Sequence, residues 1–199
     1  MKSIFVAFLI CYSACGPIDK VRAAVKTLHY CFPSDTSISK LLQTRISTFK
    51  AIPVENGTDN YYVKLMLALY DGANDMIKMQ AGKISDTNVS QQSLLFQRFH
   101  DQMSNRYVAF LAVKSHESRV NPRFKAMADV ALQHFSRFEF QQNQTSSSLL
   151  TALLIEFYEN MDQISVAFIS MGESERLKKL AWDSIKKQNA LIDLLNKRQ

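Results

Sequence analysis

The chain of 199 residues is 47% hydrophobic and 21% charged, a composition that is ordinary for a globular protein. It is long enough for one sizeable core and short for two domains. The net charge is +6, but the basic residues are interleaved with acids, and no polybasic segment indicates a nucleic-acid partner. The five glycines and four prolines leave few positions that break a helix, which favours a mostly helical fold.

The N-terminus has the pattern of a secretory signal peptide. Lys2 precedes an apolar run from Ile4 to Ile10, and small residues follow up to Cys15. We therefore expect residues 1–15 to be removed, residues 16–199 to form the mature domain, and the protein to be secreted. Two alternatives stay open: a short buried helix, and a lipoprotein processing site that leaves Cys15 as a lipid-anchored N-terminus.

Cysteine usage and hydropathy predict a mature chain without a disulfide framework or a transmembrane segment. The other long apolar stretch carries Glu156, Glu159 and Asp162, whose burial in hydrocarbon would be costly. Only Cys15 and Cys31 could form a disulfide, and only if Cys15 is retained. The stability of the mature chain must then come from its core.

Apolar residues at steps of three and four predict an all-α, single-domain bundle of about six to seven amphipathic helices. Asn121 and Pro122 form a good start for one of them. Gly72 lies inside another, where a closely packed neighbouring backbone would be one compensation for its low helix propensity; a tolerated defect and a break between two shorter helices are the alternatives. The predicted helices are Ile18–Phe32, Ile38–Phe49, Tyr61 to about Ala81, about Gln91–Lys114, Pro122–Phe138, Leu150–Met171 and Glu173 to about Asn196.

The helix from Leu150 to Met171 is predicted to be the central post of the bundle. Ile155, Val166 and Ile169 fall off its apolar stripe, which indicates neighbours on more than one side. Gly172 is expected to end the helix in a left-handed conformation. The stripe consists of Leu150, Leu154, Phe157, Met161, Ile164, Phe168 and Met171.

Three glycosylation sequons begin at Asn56, Asn88 and Asn143. Each lies in a segment that we interpret as a polar loop between helices. A glycan is bulky and stays in solvent, so these positions agree with an exported protein.

The sequence contains no motif that is specific for catalysis or for a metal. His29, His100, His116 and His134 are isolated, and no Gly-x-Ser-x-Gly or phosphate-binding loop is present. The acid pairs Glu156 with Glu159 and Asp71 with Asp75 are interpreted as exposed surface charges. His134 shares a predicted inward face with Phe124, Met127, Ala131 and Phe138, and we interpret it as a core or boundary histidine.

Aromatic and basic residues alternate between Phe96 and Phe140, a pattern that can indicate single-stranded nucleic acid. The aromatics fall at helical core spacing and acids interrupt the basic residues, so we predict no nucleic-acid partner. The same aromatics could instead line an apolar cavity, although core packing is the commoner reason for them. The methionines that would join them are Met66, Met76, Met79, Met103 and Met161.

These patterns predict a secreted binding protein without enzymatic activity and without a cofactor. One hypothesis is a carrier of a small apolar ligand or lipid. A second is a protein-binding module that acts through an outer helix face, as a helical cytokine or effector does. A third is an enzyme whose site is assembled from dispersed residues. The first two differ in where surplus apolar surface lies, inside for a carrier and outside for a protein binder.

Overall fold

The computed structural model describes residues 38–81, 87–111, 119–138 and 146–197, which form six α-helices and no strand. The all-helical bundle is therefore confirmed for this part of the chain. The signal peptide, the first predicted helix, Cys15, Cys31 and Asn143 lie outside the described residues. The helices are α1 (Ile38–Lys50), α2 (Gly57–Ala81), α3 (Thr87–Leu111), α4 (Pro122–Ser136), α5 (Ser146–Met171) and α6 (Glu175–Asn196).

The helices α2 and α5 lie at the centre of the bundle. Helix α2 packs on α1, α3 and α5, whereas α5 packs on α2, α4 and α6. The pairs α1 with α4 and α3 with α6 also touch, so the six helices form two four-helix rings that share α2 and α5. The central position predicted for α5 is confirmed, and α2 shares it.

Side-chain caps fix the ends of the helices relative to one another. The Asn121 side chain accepts hydrogen bonds from the backbone N–H groups of Arg123 and Phe124, as predicted, at 2.9 and 3.3 Å. The Asn121 N–H itself donates to Thr58 Oγ1 at 2.9 Å, which joins the starts of α4 and α2. The Asp59 carboxylate accepts from the N–H groups of Glu173 and Ser174, both at 2.9 Å, and so holds the α5–α6 corner.

Gly72 in α2 leaves room for two aromatic rings rather than for a neighbouring backbone. A Cβ atom at this position would lie 3.0 Å from Phe157 Cε1 and 3.0 Å from Phe49 Cζ. These two rings meet edge to face, with centroids 6.3 Å apart. The low helix propensity of Gly72 is therefore compensated by a close contact with side chains, which joins α1, α2 and α5, and not by the predicted contact with a backbone.

Gly172 follows α5 as predicted, but its expected left-handed conformation is wrong. Among the described glycines only Gly57 has a positive φ, at 82°. A Cβ on Gly172 would overlap the ring of Phe168, one turn earlier. A packed aromatic ring, rather than backbone handedness, therefore accounts for glycine at this position.

The predicted inward face of α4 is partly wrong. Met127 is 43% exposed and His134 is exposed, whereas the buried residues of α4 are Phe124, Ala128, Ala131, Leu132 and Phe135. Both sets start at Phe124 and advance by about 3.5 residues, so periodicity alone does not separate them. The packing of α4 against α1 and α5 selects the second set.

An ion pair between Arg45 and Asp75 links α1 to α2. The Arg45 side chain is only 4% exposed, and its pKa is lowered by burial despite the nearby charge of Asp71. The interpretation of Asp71 and Asp75 as a solvated acidic pair is therefore wrong, because both act on one buried guanidinium group. Sequence spacing within α2 does not reveal a partner on another helix.

Candidate functional site

Tyrosine hydroxyl groups run through the centre of the bundle. Tyr62 Oη lies 2.9 Å from Tyr107 Oη and 2.9 Å from Ser165 Oγ, which connects α2, α3 and α5. The Tyr62 ring stacks on Phe168 with a centroid distance of 3.9 Å. Tyr70 lies two turns further along α2. Its Oη atom lies 2.6 Å from Ser184 Oγ and accepts a 2.9 Å hydrogen bond from Gln188 Nε2.

His100 forms a second buried polar cluster. Its Nδ1 lies 2.8 Å from Asn74 Oδ1, and its Nε2 lies 2.8 Å from Tyr158 Oη. Because an amide oxygen only accepts, Nδ1 carries the proton and Tyr158 donates to Nε2. The cluster therefore ties α2, α3 and α5 together with both ring nitrogens satisfied.

Burial keeps all of these groups uncharged near neutral pH. Desolvation raises the pKa of Tyr62, Tyr70 and Tyr158 well above the ordinary value, and that of Tyr107 to about 12. Desolvation also lowers the pKa of His100 from 6.5 to about 3. The side chains are essentially inaccessible to solvent, so a solute could not reach them without opening the bundle. We interpret both clusters as supports of the fold.

The accessible candidate site is a groove of about 550 Å³ between α4 and α5. Three large apolar side chains in it keep much of their surface in solvent: Met127 is 43% exposed, Val130 55% and Val166 50%. Scattered single apolar residues are normal on a surface, whereas a contiguous apolar groove marks a binding site. The groove is lined by Arg123, Ala126, Met127 and Val130 of α4 and by Asp162, Gln163 and Val166 of α5.

Asp162 is the group of this groove whose pKa is clearly shifted. Desolvation, and secondly the charge of Glu159, raise its pKa from 3.8 to about 7. Its Oδ1 atom is enclosed and has no hydrogen-bond partner among the described residues. A carboxyl group with a raised pKa in a mostly apolar groove is a candidate binding or catalytic position.

The methionines proposed as a cavity lining are mostly packed into the core. Met66, Met76, Met103 and Met161 have no exposed surface, and Met79 packs against the same core from its edge. The aromatic residues Phe96 and Tyr107 are buried as well, while Phe99 and Phe110 are partly buried. Among the described residues, three exposed apolar side chains are thus grouped at the α4–α5 surface, and further exposed ones are Val54, Leu94, Leu95 and Trp182.

The two sequons within the described residues have different surroundings. Asn56 lies in the exposed connection between α1 and α2 with a φ of 59°, as a loop residue should. Asn88 lies in the first turn of α3 rather than in the predicted loop. The Thr58 of the first sequon is buried and accepts the hydrogen bond from Asn121, so it has a structural role of its own.

Comparisons with protein-family models, with curated proteins and with solved structures found no match. Within the described residues, no group of three or more histidine, cysteine, aspartate or glutamate side chains is placed to hold a metal ion. No helix among those residues is long and apolar enough to cross a membrane. The described residues offer two features for an argument on function, the all-helical bundle and the groove between α4 and α5.

Sequence reasoning missed both Asp162 and the groove. Asp162 counted there only as a charge against membrane insertion, although an acid inside the most apolar helix was a usable signal. The position of Val166 off the α5 stripe predicts a further packed neighbour. The structure shows that Val166 instead faces solvent, beside Met127 and Val130.

Proposed function

We propose that the protein is a non-catalytic binding protein that holds one small amphipathic molecule in the α4–α5 groove. The ligand has an apolar body and a cationic group. The observation that carries this proposal is Asp162, a carboxyl group with an unpartnered enclosed oxygen in a groove whose surface is mostly apolar. The volume of about 550 Å³ falls within the range of about 300–1,000 Å³ that is typical of small-molecule sites.

The charges around Asp162 favour a cation over an anion. Glu159 on the same helix adds a second negative charge, and it contributes to the raised pKa of Asp162. The charge of Asp162 contributes to the raised pKa of Tyr70 on α2 and of Tyr107 on α3, and both tyrosines are neutral at pH 7. Arg123 is the positive group that lines the groove, but within the described structure it forms no ion pair with Asp162. A cation beside Asp162 would stabilise the carboxylate that burial disfavours.

Binding of decylamine and decanol, measured by calorimetry, tests the proposal. Decylamine is expected to bind the wild-type protein more tightly at pH 8 than at pH 6, because Asp162 ionises near pH 7 and only the carboxylate pairs with the ammonium group. Asp162→Asn should weaken decylamine binding roughly tenfold to a hundredfold at pH 8 and remove the pH dependence. Decanol binding should change little.

Two valine variants test whether the apolar part of the ligand lies in the groove. Val130→Asp should weaken decanol binding, because it places a charge on the apolar groove wall. Decanol is the readout for this variant, since an added carboxylate would also attract the ammonium group of decylamine. Val54→Asp is the matched control, since Val54 is 46% exposed in the α1–α2 connection, away from the groove. Equal weakening by both variants, or equal decylamine binding by wild type and Asp162→Asn, would contradict the proposal.

A protein partner is the second candidate function, and it agrees with the criterion that a protein binder carries its surplus apolar surface outside the core. The half-exposed Met127, Val130 and Val166 leave the groove open along one side. An amphipathic helix with a basic residue opposite Asp162 would fit such a surface. If decylamine and decanol both fail to bind the wild-type protein at pH 8, the small-molecule proposal is wrong and this candidate replaces it.

We also propose that the protein is exported, on the strength of the signal-like segment at residues 1–15 and the sequon at Asn56. Sequencing the N-terminus of protein from its natural source should then find a start near residue 16. A blocked, lipid-modified Cys15 would support the lipoprotein alternative instead. A mature chain that begins at Met1 would refute export.

A further inference from the structure

The outward face of α6 carries the single tryptophan of the chain among lysines. Trp182 is 50% exposed, and Lys178, Lys179 and Lys186 lie one turn away from it on the same helix. The side chains of Lys179 and Lys186 are exposed, and their charges both act on Asp183, which shows that they surround the same part of the surface. This basic tryptophan face consists of Lys178, Lys179, Trp182 and Lys186.

The acids near this face do not cancel its positive charge. Lys178 pairs with Glu175 at 2.8 Å, and Asp183 pairs with Arg106 of α3 at 3.0 Å. The Arg106 contact is the largest cause of the lowered pKa of Asp183. Exposed ion pairs of this kind are weak and exchange readily with other partners. Lys179 and Lys186 keep their charge available to a partner outside the protein.

We propose that the basic tryptophan face of α6 docks on the surface of an anionic phospholipid membrane. Lysine ammonium groups are attracted to anionic headgroups, and an indole ring takes its place at the boundary between headgroups and acyl chains. The remaining apolar side of α6, with Leu177, Leu180 and Ala181, is buried against the bundle and is not free to insert. Attachment is therefore shallow, reversible and dominated by charge.

This surface is independent of the proposed ligand groove. The groove lies on α4 and α5, whereas the basic tryptophan face lies on α6. The two proposals can therefore fail separately.

A lipid surface fits the observations better than a soluble polyanion, because a polyanion would use the lysines and leave the exposed indole ring without a partner.

The fluorescence of Trp182 in the full chain tests the proposal directly, since no other tryptophan contributes. Vesicles of phosphatidylcholine with about one third phosphatidylserine should shift the emission to shorter wavelength, and brominated acyl chains in them should quench it. Raising the salt concentration should reverse both effects. Vesicles of phosphatidylcholine alone should leave the emission unchanged.

A pair of lysine variants supplies the residue-level test. Lys179→Gln with Lys186→Gln should weaken vesicle binding about 25-fold, because each lysine near an anionic surface contributes about fivefold. The matched control is Lys40→Gln with Lys50→Gln, two exposed lysines on α1, which should bind as the wild type does. Thermal melting followed by circular dichroism establishes that both double variants are folded.

Three results would overturn the proposal. One is an emission spectrum that anionic vesicles leave unchanged, and another is equal binding to neutral and anionic vesicles. The third is equal weakening by the α6 and α1 double variants, which would show that net charge rather than this face directs binding. If heparin binds the protein while anionic vesicles do not, the partner is a soluble polyanion.

Discussion

Phe157→Asp is expected to prevent folding. Phe157 has no exposed surface, its ring packs on Phe49 and Phe135, and it fills the space beside Gly72. Loss of a buried phenylalanine alone costs about 3–5 kcal/mol, and an unpaired buried carboxylate adds several more. The free energy of unfolding of a typical domain is only about 5–15 kcal/mol. Circular dichroism and the soluble yield after expression measure the outcome.

Val166→Asp is the matched control for this prediction, because it makes an apolar-to-Asp change on the same helix at a half-exposed position. This variant should stay soluble and melt cooperatively. Leu154, Met161 and Ile164 are also buried on α5, and aspartate at any of them should behave as it does at Phe157. A soluble, cooperatively melting Phe157→Asp protein would mean that α5 is peripheral to the fold.

His100 is expected to make the protein unstable in acid. Its pKa is lowered to about 3 in the folded protein, whereas the unfolded value is 6.5, so the unfolded chain binds more protons between these two pH values. The contribution of neutral His100 to the free energy of unfolding is complete above pH 6.5 and is lost as the pH falls towards 3. The loss is on the order of 4 kcal/mol for this fully buried ring.

The free energy of unfolding by urea, measured at several pH values between 7 and 3, tests this expectation. His100→Gln keeps a donor and an acceptor but does not titrate, so the difference between wild type and variant should shrink as the pH falls. Asp162 acts with the opposite sign, because its raised pKa of about 7 makes the folded protein gain stability as the pH falls from 7 towards 4. The wild type and His100→Gln are therefore also compared in a background that carries Asp162→Asn, which removes the opposing contribution of Asp162. A difference that does not change with pH would show that His100 is not held neutral by burial.

The helix positions were predictable because each helix buries a continuous face. Ile38, Leu42, Ile46 and Phe49 recur at steps of three and four, which predicts that they share one face of α1, and all four are buried. The same holds for the α5 stripe from Leu150 to Phe168. The ends were less predictable: α2 starts at Gly57 and α3 at Thr87, each about four residues before the expected start. The turns that begin these helices are polar and carry no apolar periodicity.

The candidate site was not predictable in the same way. Met127 and Val130 of α4 and Asp162 and Val166 of α5 are separated by more than thirty residues, and no local spacing places them side by side. The periodicity of α4 even predicts that Met127 faces the core, whereas it is 43% exposed. The environment that raises the pKa of Asp162 also depends on tertiary burial, since a carboxyl group on an isolated helix would be solvated.

The sequence by itself determined that this chain forms amphipathic helices, which faces of α1 and α5 are buried, and that Asn121 starts α4. These properties depend on periodicity and capping, which act over a few residues. Only the tertiary structure decided that α2 shares the centre with α5, that Gly72 and Gly172 leave room for aromatic rings, and that Asp71 and Asp75 act on Arg45. It alone placed His100 between Asn74 and Tyr158 and opened the groove at Asp162, because such contacts join helices whose relative positions follow from packing of the whole core.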